Sequence, residues 1–373
     1  MKIAINTRLM ISGKLDGIGW FTYHTTRHLS TKYPEVEFIF IFDRPWNQEF
    51  IHNENVKAVS IGPPARHPFL YYLWYEHSIP RLIRQIKPDL LVHPDGFACL
   101  GLDIPQVSVI HDLNFEHFPA DLPFMYRWYY RKYFPKFASK SKRIATVSEY
   151  SKQDMVNTYG VSGSKIDVVY NGVNEVYQPL DINSIDETRK SISEGKPYFL
   201  FVGSLHPRKN IAKMLRAFDL FCDHHGNTHK FVIVGEKKWW TQEIRITYEQ
   251  MKHSSEVIFT GRMSIDELKN ACGAAFCMLY VSVFEGFGVP IIEAMRCGVP
   301  VITSNTTSMP EVSGGAALLA DPADADDICE KMLELAGDND LQESMKQKGI
   351  ARAGEFSWER TTGLLWDSMM KAL

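Results

Sequence analysis

The 373-residue sequence has no long hydrophobic run and no surplus of positive charge. No apolar segment approaches the ~20 residues that a membrane-spanning helix needs, and residues 1–6 lack the apolar length of a signal peptide. Lys and Arg total 41 against 44 Asp and Glu, which argues against a general nucleic-acid coat. We therefore expect a cytoplasmic protein that is soluble or touches a membrane only from outside.

The sequence also lacks a recognisable metal or disulfide pattern. No CxxC pair occurs, and no cluster of His, Asp and Glu has the spacing of metal ligands, so we predict no bound metal and no cofactor. Apolar residues flank most of the cysteines, which predicts buried, reduced thiols in a reducing compartment. The six cysteines are Cys99, Cys222, Cys272, Cys277, Cys297 and Cys329.

Short apolar runs alternate with helical patterns, which predicts an α/β fold, and the length favours two domains. Nearly continuous apolar runs, such as 38–42, are typical of strands buried on both faces of a parallel sheet. A polar stretch at 174–196 is interpreted as a linker, and ligands are expected beyond the carboxyl ends of the strands, between the two halves. The predicted strands are 2–6, 38–42, 89–93, 107–111, 143–147, 166–170, 198–203, 230–235, 256–260, 275–281, 299–303 and 316–320.

The first strand is followed by Gly17 and Gly19, ahead of a helical pattern that starts at Trp20. Glycines before a helix let backbone N–H groups approach an anion at the helix N-terminus. A plain tight turn and a loop for phosphate or sugar both fit this pattern.

The loop GSLHPRKN follows the first predicted strand of the second half and precedes the helical pattern 211–221. Gly203 lets the chain turn there. Arg208 can hold phosphate oxygens in a fork, and Lys209 adds a point charge. The alternative is a solvated charged pair at a helix start.

A third loop, FEGFGVPIIEA, follows the strand predicted at 275–281. Gly286 and Gly288 free its backbone, and the following proline suits the first turn of a helix. We expect Glu293 in that first turn and Glu285 in the loop before it. Two carboxylates over one helix N-terminus suit a ligand with hydroxyls at both ends and a diphosphate between, such as a nucleotide sugar. A capping loop with incidental acids is the alternative.

His111 stands at the end of another predicted strand, beside the expected ligand site. A lone histidine is more often structural or on the surface. Its place at the carboxyl end of a strand favours a functional role.

At these residues the sequence resembles the retaining glycosyltransferases of family 4, also called glycosyl transferases group 1, over essentially its whole length. The strongest match is Glu285-x7-Glu293, supported by GSLHPRKN, TVSEYSK, VVYNGV, FTGR and MPEV. The resemblance implies the GT-B fold, with two facing Rossmann-like domains and a C-terminal helix that crosses back to the first. It implies an acceptor-side domain of residues 1–175 with 356–373, and a donor-binding domain of residues 176–355.

The resemblance also implies roles for single residues. Arg208 and Lys209 match the basic pair on the donor diphosphate, and Glu293 matches the acid on the ribose. Glu285 belongs to the loop that holds the donor sugar, and His111 lies beside the hydroxyls of the reacting sugar. Further positions that it places at the donor site are Gly17, Gly19, Gly203, Ser204, Arg262, Gly286, Phe287, Gly288 and Val289.

The segments LWYEHSIPRLI, PDLLVHPDG and HDLNFEHFP look closest to mannosyltransferases of bacterial surface-polysaccharide assembly. This implies a metal-independent, retaining enzyme that moves mannose from GDP-mannose to a glycan or a polyprenyl-linked acceptor. A glucosyl- or N-acetylhexosaminyltransferase that uses a UDP-sugar is the alternative. A nucleotide-sugar epimerase and a non-catalytic sugar-nucleotide binding protein remain as rivals.

Residues 127–143 hold seven basic residues, six aromatic residues and no acidic residue. This composition suits peripheral contact with an anionic membrane, at the inner face of the cell membrane. The alternatives are buried aromatic rings with solvated bases, and a nucleic-acid surface, which the resemblance disfavours.

Overall fold

The structure is a computed structural model that describes residues 1–236 and 240–373. The chain divides into two compact units. The first unit comprises residues 1–172 and 358–373, and the second comprises residues 173–357. The domain limits expected from the sequence, 175 and 356, lie close to these boundaries.

The first unit is a parallel sheet of seven strands among its described residues, in the order β3-β2-β1-β4-β5-β6-β7. Its strands are β1 Lys2–Asn6, β2 Glu37–Phe42, β3 Val56–Ser60, β4 Leu90–His93, β5 Gln106–Val109, β6 Arg143–Thr146 and β7 Ile166–Val168. Its first helices are α1 Gly17–Lys32, α2 Pro68–Leu73, α3 Ile79–Ile86, α4 Asn114–His117, α5 Phe124–Lys140 and α6 Glu149–Tyr159. Apolar side chains from both sheet faces form its core.

The second unit holds a parallel sheet in the order β10-β9-β8-β11-β12-β13. Its strands are β8 Tyr198–Val202, β9 Lys230–Val234, β10 Val257–Gly261, β11 Cys277–Tyr280, β12 Val301–Ser304 and β13 Leu318–Ala320. Its helices are α7 Ile182–Ser193, α8 Ile211–His225, α9 Gln242–Gln250, α10 Ile265–Gly273, α11 Val289–Arg296, α12 Met309–Ser313, α13 Ala325–Gly337 and α14 Asn339–Ala353.

Every strand predicted from the sequence is present, and the prediction of two parallel α/β sheets is confirmed. The sequence reading missed β3. This strand pairs with β2 alone and leaves Lys57 and Ser60 exposed. A short edge strand with one wet face lacks the continuous apolar run that marks the central strands.

The interpretation of 174–196 as a plain linker is wrong, because α7 occupies much of it and packs on α10. Asp181 is its N-cap and accepts a hydrogen bond from the Ser184 backbone N–H at 3.0 Å. Only three of its twelve residues are apolar, and Ser193 is its one buried residue, so the sequence offers few apolar positions to mark a helix.

The last helix, α15 Trp358–Met370, belongs to the first unit and packs on α1, as predicted. Ser368 Oγ donates to Asp167 Oδ2 at 2.8 Å, and Lys371 Nζ donates to Asp167 Oδ1 at 2.9 Å. Leu365 and Met369 are buried in the core of this unit. Apolar burial and the Asp167 contacts therefore hold the chain's end against the first sheet.

Strand order reverses next to β1 in the first sheet and next to β8 in the second. Ligands of open parallel sheets bind at such reversals, beyond the carboxyl ends of the strands. In the first unit, Gly17 follows β1 and His111 follows β5. In the second unit, Arg208 follows β8 and Glu285 follows β11. The fold thus places the candidate residues of each unit at the ligand-binding edge of its own sheet.

Candidate active site

A cluster of two cations and one carboxylate lies at the carboxyl edge of the second sheet. Arg208 Nη1 is 2.7 Å from Glu285 Oε2, and Lys209 Nζ is 2.5 Å from Glu285 Oε1. The Tyr280 hydroxyl donates to Glu285 Oε1 at 3.1 Å and accepts from Lys209 Nζ at 2.5 Å. This group, called the cationic cluster below, carries a formal charge of +1. Its excess positive charge is suited to an anionic ligand.

Glu285 is buried, and burial by itself would raise the pKa of its carboxyl. Arg208 and Lys209 outweigh this effect and lower the pKa to about 2. The carboxylate is therefore ionised at neutral pH, with each oxygen held by a different cation.

Main-chain contacts fix the two loops of the cluster to each other. The Val283 N–H donates to the Arg208 carbonyl at 2.8 Å, and Arg208 Nη1 donates to the Phe284 carbonyl at 3.0 Å. Asn210, in the left-handed region with φ 64°, donates to the Val281 carbonyl at 3.0 Å. Arg208 is thus held by the loop whose carboxylate it faces, which preorganises the cluster.

Ser308 stabilises the loop of Gly286 and Gly288, which follows β11. Its hydroxyl contacts the Glu285 carbonyl at 2.9 Å and the Phe287 carbonyl at 3.2 Å. Gly288 is the N-cap of α11 with φ 95°, and a Cβ there would lie 3.0 Å from Ile291 Cδ1. Only glycine meets both conditions without strain.

The expectation that Glu293 lies in the first turn of α11 is wrong. The helix begins at Val289, which makes Glu293 its fifth residue. Burial raises the pKa of Glu293 to about 7, although a hydrogen bond from Tyr177 opposes this shift. Glu293 is therefore poised between its neutral and ionised forms near neutral pH.

The shifted pKa of Glu293 predicts a pH-dependent effect of the E293Q substitution. The folded-state pKa of Glu293 is raised from 4.5 to about 7. Its protonated carboxyl therefore contributes fully to stability below pH 4.5, and this contribution is lost as pH rises through about 7. Glutamine has the charge of the protonated form at every pH. Between pH 4.5 and 8, the free energy of unfolding of E293Q should therefore rise by about 3 kcal/mol relative to that of the wild type. Urea unfolding across this range measures the difference, and a pH-independent difference would contradict the shift.

In the first unit, α1 begins at Gly17 rather than at Trp20, so both glycines lie in its first turn. Asp16 is the N-cap and accepts from the Gly19 N–H at 3.0 Å. A Cβ on Gly19 would lie 2.8 Å from the Leu9 carbonyl oxygen, whereas nothing lies within 4 Å of one on Gly17. Gly19 is required by close packing, and Gly17 leaves space at the helix start.

His111 lies behind this helix start, with its ring 5.0 Å from the ring of Phe21. Its Nε2 is 2.8 Å from the Pro94 carbonyl oxygen. Burial lowers the pKa of His111, which favours the neutral ring. With Nε2 donating to the carbonyl, Nδ1 is the acceptor nitrogen.

A buried polar network that the sequence reading missed joins the ends of β1 and β4. Asp95 Oδ2 accepts from Arg8 Nε at 2.5 Å, from the Tyr75 hydroxyl at 2.5 Å and from Asn6 Nδ2 at 2.9 Å. The sequence signal for this network was a polar side chain two positions beyond the end of each of two neighbouring strands. The same rule singled out His111, and it would have found Arg8 and Asp95.

The structure therefore brings Arg208, Lys209 and Glu285 into direct contact. Ser204 and Arg262, both expected at the donor site, are exposed residues that follow β8 and β10. The roles of all these residues remain predictions. Tyr280 and Tyr177, which bond to the two glutamates, were missed because neither lies within a recognisable motif.

Among residues 1–236 and 240–373, no group of three His, Cys, Asp or Glu side chains is arranged to hold a metal ion. The six cysteines are free and buried, as predicted. In the same part of the chain, no helix combines the length and the apolar character needed to cross a membrane.

Comparison with known proteins identifies the family of the chain. The model of Glycosyltransferase Family 4 matches residues 15–176, and that of Glycosyl transferases group 1 matches residues 184–352. The O-antigen chain mannosyltransferase B of Escherichia coli is 30% identical over 80% of this chain and 79% of its own length. The chain belongs to the family 4 glycosyltransferases, the glycosyl transferases group 1.

Two further proteins resemble the chain. The serotype-specific mannosyltransferase WbdA of Escherichia coli is 26% identical over 78% of this chain, which spans only 38% of WbdA. The Anabaena protein HepE, solved in complex with UDP and glucose, is 16% identical over 99% of both chains, with a TM-score of 0.77. At this identity the likeness to HepE supports the GT-B fold alone.

Proposed function

We propose that the chain transfers mannose from GDP-mannose to a glycan or a lipid-linked saccharide in surface-polysaccharide synthesis, with retention of configuration. The mannosyltransferases among its relatives support the choice of sugar. The observation that carries the proposal is the cationic cluster, with Arg208 and Lys209 held by Glu285 at the carboxyl edge of the second sheet.

The chemistry asked of the cluster is stabilisation of a leaving diphosphate. The bond between the anomeric carbon of the sugar and an oxygen of the donor phosphate breaks, and its electron pair leaves with the diphosphate. The acceptor oxygen forms the new bond, and its proton passes to the leaving phosphate. Arg208 and Lys209 would stabilise the developing negative charge because they are positioned before the reaction begins.

The state of Glu285 supports front-face attack rather than a covalent glycosyl-enzyme. Both of its oxygens are engaged by cations, and its pKa of about 2 makes it a weak base. Trapping of a sugar on the protein would contradict this route.

Glu293 and His111 have supporting roles in the proposal. The Glu293 side chain, on the fifth residue of α11, would accept hydrogen bonds from the ribose hydroxyls. His111 would contact the hydroxyls of the transferred sugar, through a neutral ring whose orientation Pro94 fixes.

A thermal-shift panel of nucleotide sugars tests the donor. GDP-mannose at 100 times its Kd should add about 2.7 kcal/mol to the free energy of unfolding. A shift with UDP-glucose alone would favour the UDP-sugar alternative, since HepE was solved with UDP and glucose.

Product analysis separates the rival functions. A transferase needs an acceptor, an epimerase acts without one, and a binding protein gives no turnover. Activity should persist in EDTA, and loss that Mg²⁺ restores would contradict metal independence.

We also propose peripheral membrane contact through residues 127–143 and the neighbouring α2. The stretch forms most of α5, whose Tyr129, Phe134 and Phe137 are buried, so half of its aromatic rings belong to the core. Exposed apolar side chains remain on α5 and α2. They are Phe69, Tyr72, Phe124, Met125 and Trp128. Basic residues beside exposed aromatic rings suit an anionic surface. Failure to float with phosphatidylglycerol vesicles at low salt would contradict this contact.

A further inference from the structure

Tyr280 is the last residue of β11 and lies within the cationic cluster. Its hydroxyl accepts a hydrogen bond from Lys209 Nζ at 2.5 Å and donates one to Glu285 Oε1 at 3.1 Å. Lys209 Nζ also donates directly to Glu285 Oε1, at 2.5 Å. The three groups therefore form a closed triangle of hydrogen bonds, in which the tyrosine hydroxyl is the uncharged member.

The place of this hydroxyl is fixed by the ring that carries it. Tyr280 is buried, and its ring stacks on that of Phe201, with centroids 5.8 Å apart and planes at 14°. Phe201 belongs to β8, which pairs with β11. A Cβ on Gly288 would lie 3.6 Å from Tyr280 Cε1, so the loop after β11 packs against the same ring. The hydroxyl is thus presented to Lys209 from a rigid part of the sheet.

Lys209 depends on such support more than Arg208 does. The Arg208 guanidinium is planar, and its Nη1 donates to the Phe284 carbonyl in addition to contacting Glu285. The ammonium group of a lysine is a point charge at the end of a flexible four-carbon stem. Tyr280 and Glu285 both orient Lys209 Nζ, so the loss of either contact would give the ammonium group a wider range of positions.

Tyr280 takes part in this triangle as a neutral hydroxyl. Burial and the charge of Glu285 raise the pKa of Tyr280 well above its ordinary value of 10, although Arg208 opposes the shift. The single hydroxyl proton is donated to Glu285, and an oxygen lone pair accepts from Lys209. Removal of the hydroxyl would therefore leave the formal charge of the cluster at +1 and change only the position of one cation.

We propose that Tyr280 is a positioning residue, whose hydroxyl holds the Lys209 ammonium group where the leaving diphosphate gains negative charge. The proposal rests on the proposed function and adds to it a residue that acts through Lys209 without touching the donor. A cation that is already in place needs no reorganisation during the reaction, whereas a mobile one must first be ordered. Loss of the hydroxyl should therefore lower kcat and leave the KM for the donor nearly unchanged.

The Y280F substitution removes the hydroxyl and keeps the buried ring. Its kcat should fall by roughly 10-fold, the loss expected for a hydrogen bond to a charged group, with a KM for GDP-mannose within about twofold of wild type. Y198F is the matched control. Tyr198 is buried at the opposite end of β8 from the cluster, and its hydroxyl donates to the Ala271 carbonyl at 2.6 Å. Y198F should lose a similar amount of stability in urea and retain the kcat of wild type.

Double variants show whether Tyr280 acts through Lys209. Once Lys209 is replaced by alanine, the hydroxyl has no ammonium group to hold, so Y280F should have no further effect on kcat in K209A. F201L is a second variant, because it loosens the Tyr280 ring and keeps its hydroxyl. It should also lower kcat in the wild type and have no further effect in K209A, which decides the question if Y280F fails to fold.

Calorimetry with pyrophosphate provides a measurement that needs no sugar donor. Y280F should weaken the binding of pyrophosphate by roughly 10-fold, and the double variant of Y280F and K209A should bind no more weakly than K209A alone. A chain that binds pyrophosphate in this pattern but transfers no sugar would refute the proposed function alone.

Three results would overturn the role of Tyr280. They are a kcat for Y280F within about twofold of wild type, an equal fall of kcat in Y198F, and losses of kcat that add up when Y280F and K209A are combined.

Discussion

Replacement of Arg208 by alanine should lower kcat for hexose transfer by about 10²–10³, the usual loss when one preorganised donor to a developing negative charge is removed. K209A should have an effect of the same order, because Lys209 contributes the second cation of the cluster. Initial rates with saturating GDP-mannose measure both variants. On the proposed function, each cation would gain most of its interaction energy when charge accumulates on the leaving diphosphate.

K213A is the matched control for these variants. Lys213 lies on α8 just beyond the cluster, where its Nζ donates to the Ala323 carbonyl at 2.8 Å. Its removal should leave kcat unchanged. Near-normal turnover in both R208A and K209A would mean that the cluster does not stabilise the leaving group.

The E285Q substitution should destabilise the protein by about 3–5 kcal/mol, the cost typical of breaking a buried ion pair by removing one partner. Two cations that now lie 2.7 and 2.5 Å from the carboxylate oxygens would lose their counter-charge. Urea unfolding at pH 7 measures the loss, and E330Q, at an exposed position of α13, is the control.

The effect of E285Q should depend on pH. The folded-state pKa of Glu285 is lowered from 4.5 to about 2, so its contribution is present above pH 4.5 and is lost as pH falls towards 2. The difference in free energy of unfolding between wild type and E285Q should therefore decrease as pH falls from 4.5 towards 2, wherever both proteins remain folded. A constant gap would show that the charge of Glu285 is not what stabilises the cluster.

Continuous apolar runs were enough to find the central strands, because strands covered on both faces leave little room for polar residues. The edge strand β3, with Lys57 exposed, was missed for the same reason. The polar helix α7 was read as a linker, since only three of its twelve residues are apolar.

In the candidate site, too, local sequence patterns revealed some features and missed others. Arg208, Lys209, Glu285 and Glu293 were identified from motifs after strands, but their mutual contacts were not. Glu285 was expected in the loop that holds the donor sugar, and its pairing with both cations was not predicted. Contacts between segments 76 residues apart follow from the order of strands in the sheet, which local patterns do not specify.

The sequence by itself determined the α/β class, the two parallel sheets, the glycosyltransferase family and the identity of the residues at each sheet edge. These properties depend on local spacing, which folding preserves. Only the tertiary structure decided the ionisation of the two glutamates, because burial and the distance to cations set their pKa values at about 2 and about 7. It likewise divided the aromatic rings of α5 between the core and the exposed surface, since the packing of the helix determines which face is covered.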